Sequence, residues 1–317
     1  MYKRQWSFTV DDSYISYRYA RNLANGLGLV YNPGERIEGY TNFLWTLLLA
    51  GGIRVGADPD TLAKVLGSLS ACGTLGLLYW LSNRFKPFAL MPCVATWLFA
   101  SSIISLGYSV FGLETSFFVF LILAGMAQMF RETTRGQGFW GSGVLFALAG
   151  LTRPEAPMFV GLLMLFLGRR FISRQNIARG LVFAAPIALH TLFRHSYYGT
   201  WLPNTLSAKT GDLAGQIAAG EKYIGDYMTH AGPVLWLGLA GLGVAVARKN
   251  REAIGVGVLG LCVLAYVAMV GGDWMPYFRF VAPFEVCCFL LVDLAVRSIV
   301  EARDTAANLS ILVFGVA

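Results

Sequence analysis

From residue 62 onward the chain alternates long apolar runs with short polar gaps. A hydrocarbon core about 30 Å thick needs about twenty helical residues at 1.5 Å rise. Nine segments approach that length: 62–83, 87–107, 112–130, 139–151, 157–167, 177–193, 232–247, 253–270 and 280–296. The fourth and fifth are short enough for a tight re-entrant pair or two tilted spans. A further run opens at residue 309 and stops at half a bilayer. Ahead of residue 62 the period is different. Ile15, Tyr19 and Leu23 recur at helical spacing and are closed by Gly26, which predicts a short helix with Asp11, Tyr14, Arg18 and Arg21 along one polar stripe. The acidic pair at its head reads either as an ordinary N-cap or as a pair kept for chemistry, since one acid suffices for a cap. Asn32-Pro33-Gly34 is a turn by its own chemistry. Residues 43–55 form a second short apolar helix, expected to lie in the membrane interface with Trp45 and Arg54 at headgroup depth.

Composition narrows this to an all-α, polytopic membrane bundle. Of 317 residues, 56% are hydrophobic and 14% charged, with mean hydropathy +0.57, against about 45–50% and about 25% in soluble domains. The net charge of +7 sits in clusters between apolar runs and not on one basic face, which excludes nucleic acid as the partner. Alternate gaps separate by sign. One set carries thirteen bases against four acids, including Arg84, Arg131, Arg179, Arg248 and Arg297, and is expected to face the cytoplasm. The other carries twelve acids against ten bases and is expected outside, provided all nine segments cross and 43–55 does not. The five cysteines lie within apolar runs, so neither a disulfide nor a zinc site is expected, and the three histidines lack ligand spacing. Residues 1–5 read as a non-native leader, 6–61 as an extracytoplasmic first loop with juxtamembrane helices, and 62–317 as the bundle. The polar start and the half-length final run suggest truncation at both ends.

The outer gaps share one vocabulary. Asp11, Asp12, Glu114, Glu155 and Asp273 supply acids, and Arg153, Lys209 and Arg279 supply bases, several directly at span ends where a charge needs a partner or a wet cavity. Glu35 and Glu38 read equally as solvated loop charge, and Arg153 with Glu155 as a pair that stitches a turn. Together the set fits glycosyl transfer from a lipid phosphate, where a carboxylate removes the acceptor proton and cations stabilise the leaving phosphate. No GxxxxGK[ST] loop occurs, which argues against a nucleotide donor or an ATP-driven pump.

Four stretches, DDSYISYRYARNLANGLGLVYNPGERIEGYTNFLW, TRPE, YYGTWLPNTLSAK and GGDWMPYFRF, resemble the GT-C superfamily of polyprenyl-phosphate-sugar-dependent glycosyltransferases. They are most similar to its bacterial terminal β-(1→2)-arabinofuranosyltransferase group, over Val10 to about Pro283. The resemblance implies a multi-pass protein of the bacterial inner membrane, with its site facing the periplasm or outside. It implies an inverting transferase that moves a sugar, arabinofuranose among the candidates, to an extracytoplasmic glycan or glycolipid. Asp11 is the expected general base, with Asp12 next in line. Arg153, Lys209 and Arg279 are expected at the donor phosphate, Asn204 and Asp273 at sugar hydroxyls, and Tyr14, Arg18, Glu114 and Glu155 complete the substrate-binding set. Members with and without a divalent metal exist, so no cofactor is assigned. The alternative is a lipid-linked sugar transporter or flippase, which needs ionisable groups within spans; Glu285 and Asp293 are the candidates.

Overall fold

The computed structural model describes residues 6–86, 93–167, 172–202, 213–275 and 277–314, except for the side chains of Leu167 and of 304–314. Thirteen α-helices are described, with no strand among the described residues: α1 (Asp11–Ala24), α2 (Phe43–Arg54), α3 (Pro59–Phe85), α4 (Val94–Ser101), α5 (Ile103–Val110), α6 (Thr115–Arg135), α7 (Trp140–Thr152), α8 (Ala156–Leu167), α9 (Arg174–Tyr198), α10 (Leu213–Ala231), α11 (Pro233–Ala247), α12 (Arg251–Val270) and α13 (Ala282–Phe314). The all-α membrane bundle expected from the apolar pattern is the architecture observed. Helix starts follow local chemistry. Asp58 accepts the N–H of Thr61 at 2.9 Å with Pro59 at the first helical position, and Ser102, Ser173 and Asn250 cap α5, α9 and α12 likewise.

The spans are fewer and more broken than the apolar pattern suggested. Four helices (α3, α6, α9 and α12) are long and apolar enough to cross a membrane, and α10 with α11, bent by 94° between them, makes a fifth candidate. The expected span 87–107 is described only from residue 93, as two helices of eight residues broken at Ser102. Its side-chain oxygen accepts the N–H of Ser105, so the break starts a new helix with its own cap. α7 packs on α6 and α9 while α8 packs on α12, so the two short helices diverge from the turn at Arg153. α13 is long enough to span but carries Glu285, Asp293 and Arg297. Helices approach closely where the residue is small: a Cβ at Gly241 of α11 would overlap the backbone carbonyl of Leu291 in α13.

Both juxtamembrane helices form, with two corrections. The acidic pair does not cap α1: the cap position is Val10, without a side-chain bond, and Asp11 and Asp12 are the first helical residues. Val10 is fixed by its own N–H, which donates to the carbonyl of Phe111 at 3.2 Å. The carboxylates therefore sit in the first turn, where unpaired N–H groups favour negative charge. Trp45, expected as an interfacial anchor, is fully buried within the protein, packed with Tyr17, Leu49, Ala50 and Ala63. α2 packs one face on α1 and α3, while Leu47, Leu48 and Arg54 are exposed and Arg54 reaches the carbonyl of Ala24.

The two acids within α13 act as pins for the broken helix beside it. Asp293 accepts the N–H of Val94 at 2.7 Å, at the start of α4, and pairs with Arg297 at 2.6 Å. Two turns away, Glu285 accepts the hydroxyl of Ser102 at 2.8 Å, at the α4–α5 break.

Candidate functional site

The site is built where α1 meets the heads of α6, α8 and α13. Gly112 makes the junction possible: its φ of +87° turns the chain into α6, and a Cβ there would run into the hydroxyl of Tyr17. The Ser13 hydroxyl then donates to Phe111 O at 3.0 Å, fastening the first turn of α1 against the turn that ends in Glu114.

Arg153 is the centre of the buried charge. Its Nη1 donates to Glu114 Oε1 at 2.9 Å and its Nε to Glu155 Oε1, and all three residues are buried. Burial alone would favour a neutral guanidinium, but Glu155 and Glu114 hold its pKa above the usual arginine range. Burial also opposes ionisation of Glu114, yet Arg153, Arg279 and a bond from Asn42 hold its carboxyl below the ordinary range. Arg279 pairs with Asp273 at 2.6 Å. The ring of Phe280 lies against both guanidinium groups, at 5.2 Å from Arg153 and 5.1 Å from Arg279. Oε2 of Glu155 is buried without a hydrogen-bond partner among the described residues.

Asp12 lies at the rim of this cluster, half-buried, while Asp11 is exposed and, among the described residues, accepts only the N–H of Asp12. Burial pushes the Asp12 carboxyl above the usual aspartate range against the attraction of Arg279, and Asp11, Asp273 and Glu114 push the same way. Four carboxylates, those of Asp12, Glu114, Glu155 and Asp273, thus face two guanidinium groups.

Of the residues expected from sequence, Asp12, Glu114, Arg153, Glu155, Asp273 and Arg279 come together. Tyr14 and Arg18 stand apart from them on the exposed side of α1. Tyr14 packs edge-on to Tyr17 with ring centres 5.4 Å apart. Arg18 donates to Tyr31 O at 2.8 Å and Asn32 Oδ1 at 3.0 Å, tying down the loop after α1. Arg153 is bound by two carboxylates, through its Nε and its Nη1. Asn204 and Lys209 lie outside the described residues. Among the described residues no three of His, Cys, Asp and Glu converge as metal ligands would.

Sequence reasoning missed Asn42, Asp60, Lys64 and Arg194. Asn42 sits at the cap position of α2, the role its place before an apolar run would suggest, but its side chain donates instead to Glu114 Oε2 at 2.8 Å and bonds Ser16. Asp60 accepts from Thr9, Tyr17 and Lys64, joining α1 to α3. Glu38 is buried and paired with Arg194 of α9 at 2.6 Å, so it is not solvated loop charge, whereas Glu35 is exposed and accepts from Asn32. Burial raises the Glu38 carboxyl despite the pull of Arg194. The only sequence signal for these was their place on the same face as the expected acids.

No protein-family model matches the chain. Two terminal beta-(1->2)-arabinofuranosyltransferases are similar over 92% of it, each at 29% identity. One is from Corynebacterium glutamicum, of which 49% is covered, and one from Mycobacterium tuberculosis, of which 54% is covered. The chain thus spans about half the length of the curated relatives it matches. In fold it is similar to ArnT from Cupriavidus metallidurans, at TM-score 0.64 for the structure bound to undecaprenyl phosphate and 0.65 for the apo state. Both superpositions cover 92% of this chain and 56% of ArnT at 12% identity. By fold the chain is an all-α multi-pass membrane bundle similar to ArnT, and by sequence it is similar to the two terminal β-(1→2)-arabinofuranosyltransferases.

Proposed function

We propose that this chain carries the active site of a membrane glycosyltransferase that moves a sugar from a polyprenyl-phosphate donor to an extracytoplasmic glycan or glycolipid. Arabinofuranose is the favoured sugar, because the two sequence relatives bear that activity in their names. The donor class draws support from the undecaprenyl phosphate bound to ArnT. The site is assigned to the periplasmic or outer face of the bacterial inner membrane, because bases accumulate at the opposite end of the bundle.

The observation that carries the reading is the half-buried carboxylate of Asp12 beside a cluster whose other acids are tied to arginines. In this mechanism Asp12 takes the proton of the acceptor hydroxyl as the acceptor oxygen bonds to the anomeric carbon. The bond from that carbon to the phosphate oxygen breaks on the opposite face, polyprenyl phosphate leaves with the electron pair, and the configuration inverts. A carboxyl above its ordinary range is a stronger base for this step. Arg279, held by one acid and not two, and Lys209 are assigned to the departing phosphate, and Asp273, Glu155 and Asn204 to sugar hydroxyls. Glu114 and Arg153 hold the floor of the site.

The test is transfer of labelled arabinose from a synthetic polyprenyl-phosphate donor to a short glycan by membranes containing the protein. Transfer that requires the lipid phosphate and yields one inverted anomer supports the reading. Absence of transfer from arabinose, mannose and other pentose donors alike would contradict it.

A further inference from the structure

A second polar cavity shares no lining residue with the charged cluster, and two of its own, Tyr227 and His230, touch Phe278. It has a volume of about 380 Å³ and is enclosed by α4, α5, α10, α11 and α13. Cavities of this size fall within the range of small-ligand pockets, about 300–1,000 Å³. Its walls are apolar, formed by Leu98, Val234 and Phe289, and its polar groups are Glu285, Tyr227 and His230.

Glu285 and Tyr227 give the cavity its chemistry. Both residues are buried, at 6% and 2% exposure. Oε2 of Glu285 accepts the hydroxyls of Ser102 and Ser105, at 2.8 Å and 3.5 Å. Oε1 accepts no hydrogen bond, and the Tyr227 hydroxyl makes none, among the described residues, and both residues line the cavity. A buried carboxylate pays a desolvation cost that two serine hydroxyls only partly offset. The slot is therefore complete only when its contents supply a donor for Glu285 and an acceptor for Tyr227. A hydroxyl does both. A phosphate offers acceptors alone and is repelled by the carboxylate.

We propose that this cavity binds the head of a neutral, hydroxyl-bearing amphiphile, a glycosyl or glycerol headgroup with its chain against Leu98, Val234 and Phe289. The position is separate from the charged cluster. Phe278, with φ of +51°, packs its ring on Tyr227 at 5.6 Å and on His230 at 6.0 Å, and the next residue is Arg279. One aromatic residue in the left-handed region thus touches two residues of the cavity and adjoins the charged cluster in sequence. The binding requires nothing of the transfer reaction.

The experiment measures saturable binding to the protein in nanodiscs, corrected for empty nanodiscs. The probes are octyl β-glucoside below its micelle-forming concentration, dioctanoylglycerol, free glucose and dioctanoyl phosphatidic acid. The two neutral amphiphiles are expected to bind, and Glu285→Leu to weaken them at least about tenfold, while Glu285→Gln changes them about threefold or less. Because Glu285→Leu also removes the bond to Ser102, Val234→Trp provides a second variant that fills the slot and keeps that bond; it is expected to weaken both probes to the same degree. Binding unchanged in both Glu285→Leu and Val234→Trp would overturn the proposal. So would phosphatidic acid binding as tightly as the neutral amphiphiles, or free glucose binding as tightly as its octyl derivative.

Discussion

The two ends of the bundle bury their charges differently. At the end rich in bases, each acid whose side chain is described is matched: Glu132 by Arg179, Glu252 by Arg84, Asp293 by Arg297, and Glu301 by both Lys86 and Arg248. At the α1 end Arg153 serves two carboxylates, Arg279 serves one, and Asp12 is left at the rim. Ion pairs at the first end join helices, as Arg84 does in reaching Glu252, Thr134 and the carbonyl of Phe130. The second end holds an excess of acid against an aromatic wall, an arrangement that costs stability and is kept where chemistry needs it. Burial alone does not mark a functional charge; imbalance does.

Removing the central base on each side should break the comparison most visibly. Arg153→Leu leaves Glu155 without a hydrogen-bond partner and Glu114 with only Asn42. It is expected to cost about 3–5 kcal/mol, read as loss of folded protein in detergent. Arg179→Leu at the opposite end leaves Glu132 its bonds to Ser142 and Gln128. Its expected cost is smaller, about 1–3 kcal/mol, with transfer per folded molecule unchanged. Equal losses would mean that the two clusters do the same job.

The pH dependence should also differ in sign. A carboxyl raised in the folded state, as for Asp12, adds stability only below its unfolded pKa, and that contribution is lost as pH rises through the folded value. Ionised Asp12 is thus a liability at neutral pH. Asp12→Asn should melt at the same or a higher temperature while losing transfer. Glu114, lowered in the fold, stabilises above its unfolded pKa, and this is lost as pH falls through the folded value. Glu114→Gln should therefore lower the melting temperature at pH 7 and flatten its dependence on acid.

Smaller effects are expected where the first loop is tied down. Glu38→Ala leaves the half-buried Arg194 without its carboxylate, so amide exchange across 25–42 should quicken. The smallest belongs to Arg18→Ala. Its exposed contacts with Tyr31 and Asn32 should be worth about 1 kcal/mol or less, with little change in transfer.

The helices were legible because apolar length and caps are local properties. α1 falls within one residue or two of its expected bounds because Ile15, Tyr19 and Leu23 set its face and Gly26 its end. The break at Ser102 was not legible, since serine within an apolar run gives no sign that Glu285, 183 positions away, will hold it. Six site residues were found because acids and bases at span ends need partners. Which partner each would take was not readable: Arg153, expected at a phosphate, is taken by two carboxylates from separate turns. Asn42 was hidden by a more ordinary role, and Trp45 by its usual place at interfaces. That Asp12 and not Asp11 lies at the rim of the cluster depends on which side of α1 faces Arg279, which the sequence alone does not give.

The central claim is that one of two adjacent acids is the base. It is tested by single-turnover transfer at saturating donor with Asp12→Asn and Asp11→Asn side by side, each checked for insertion and melting temperature. The structure leads to a fall of about 10²–10⁴-fold for Asp12→Asn and less than about fivefold for the exposed Asp11→Asn. The reverse order, or full activity in Asp12→Asn, would contradict it.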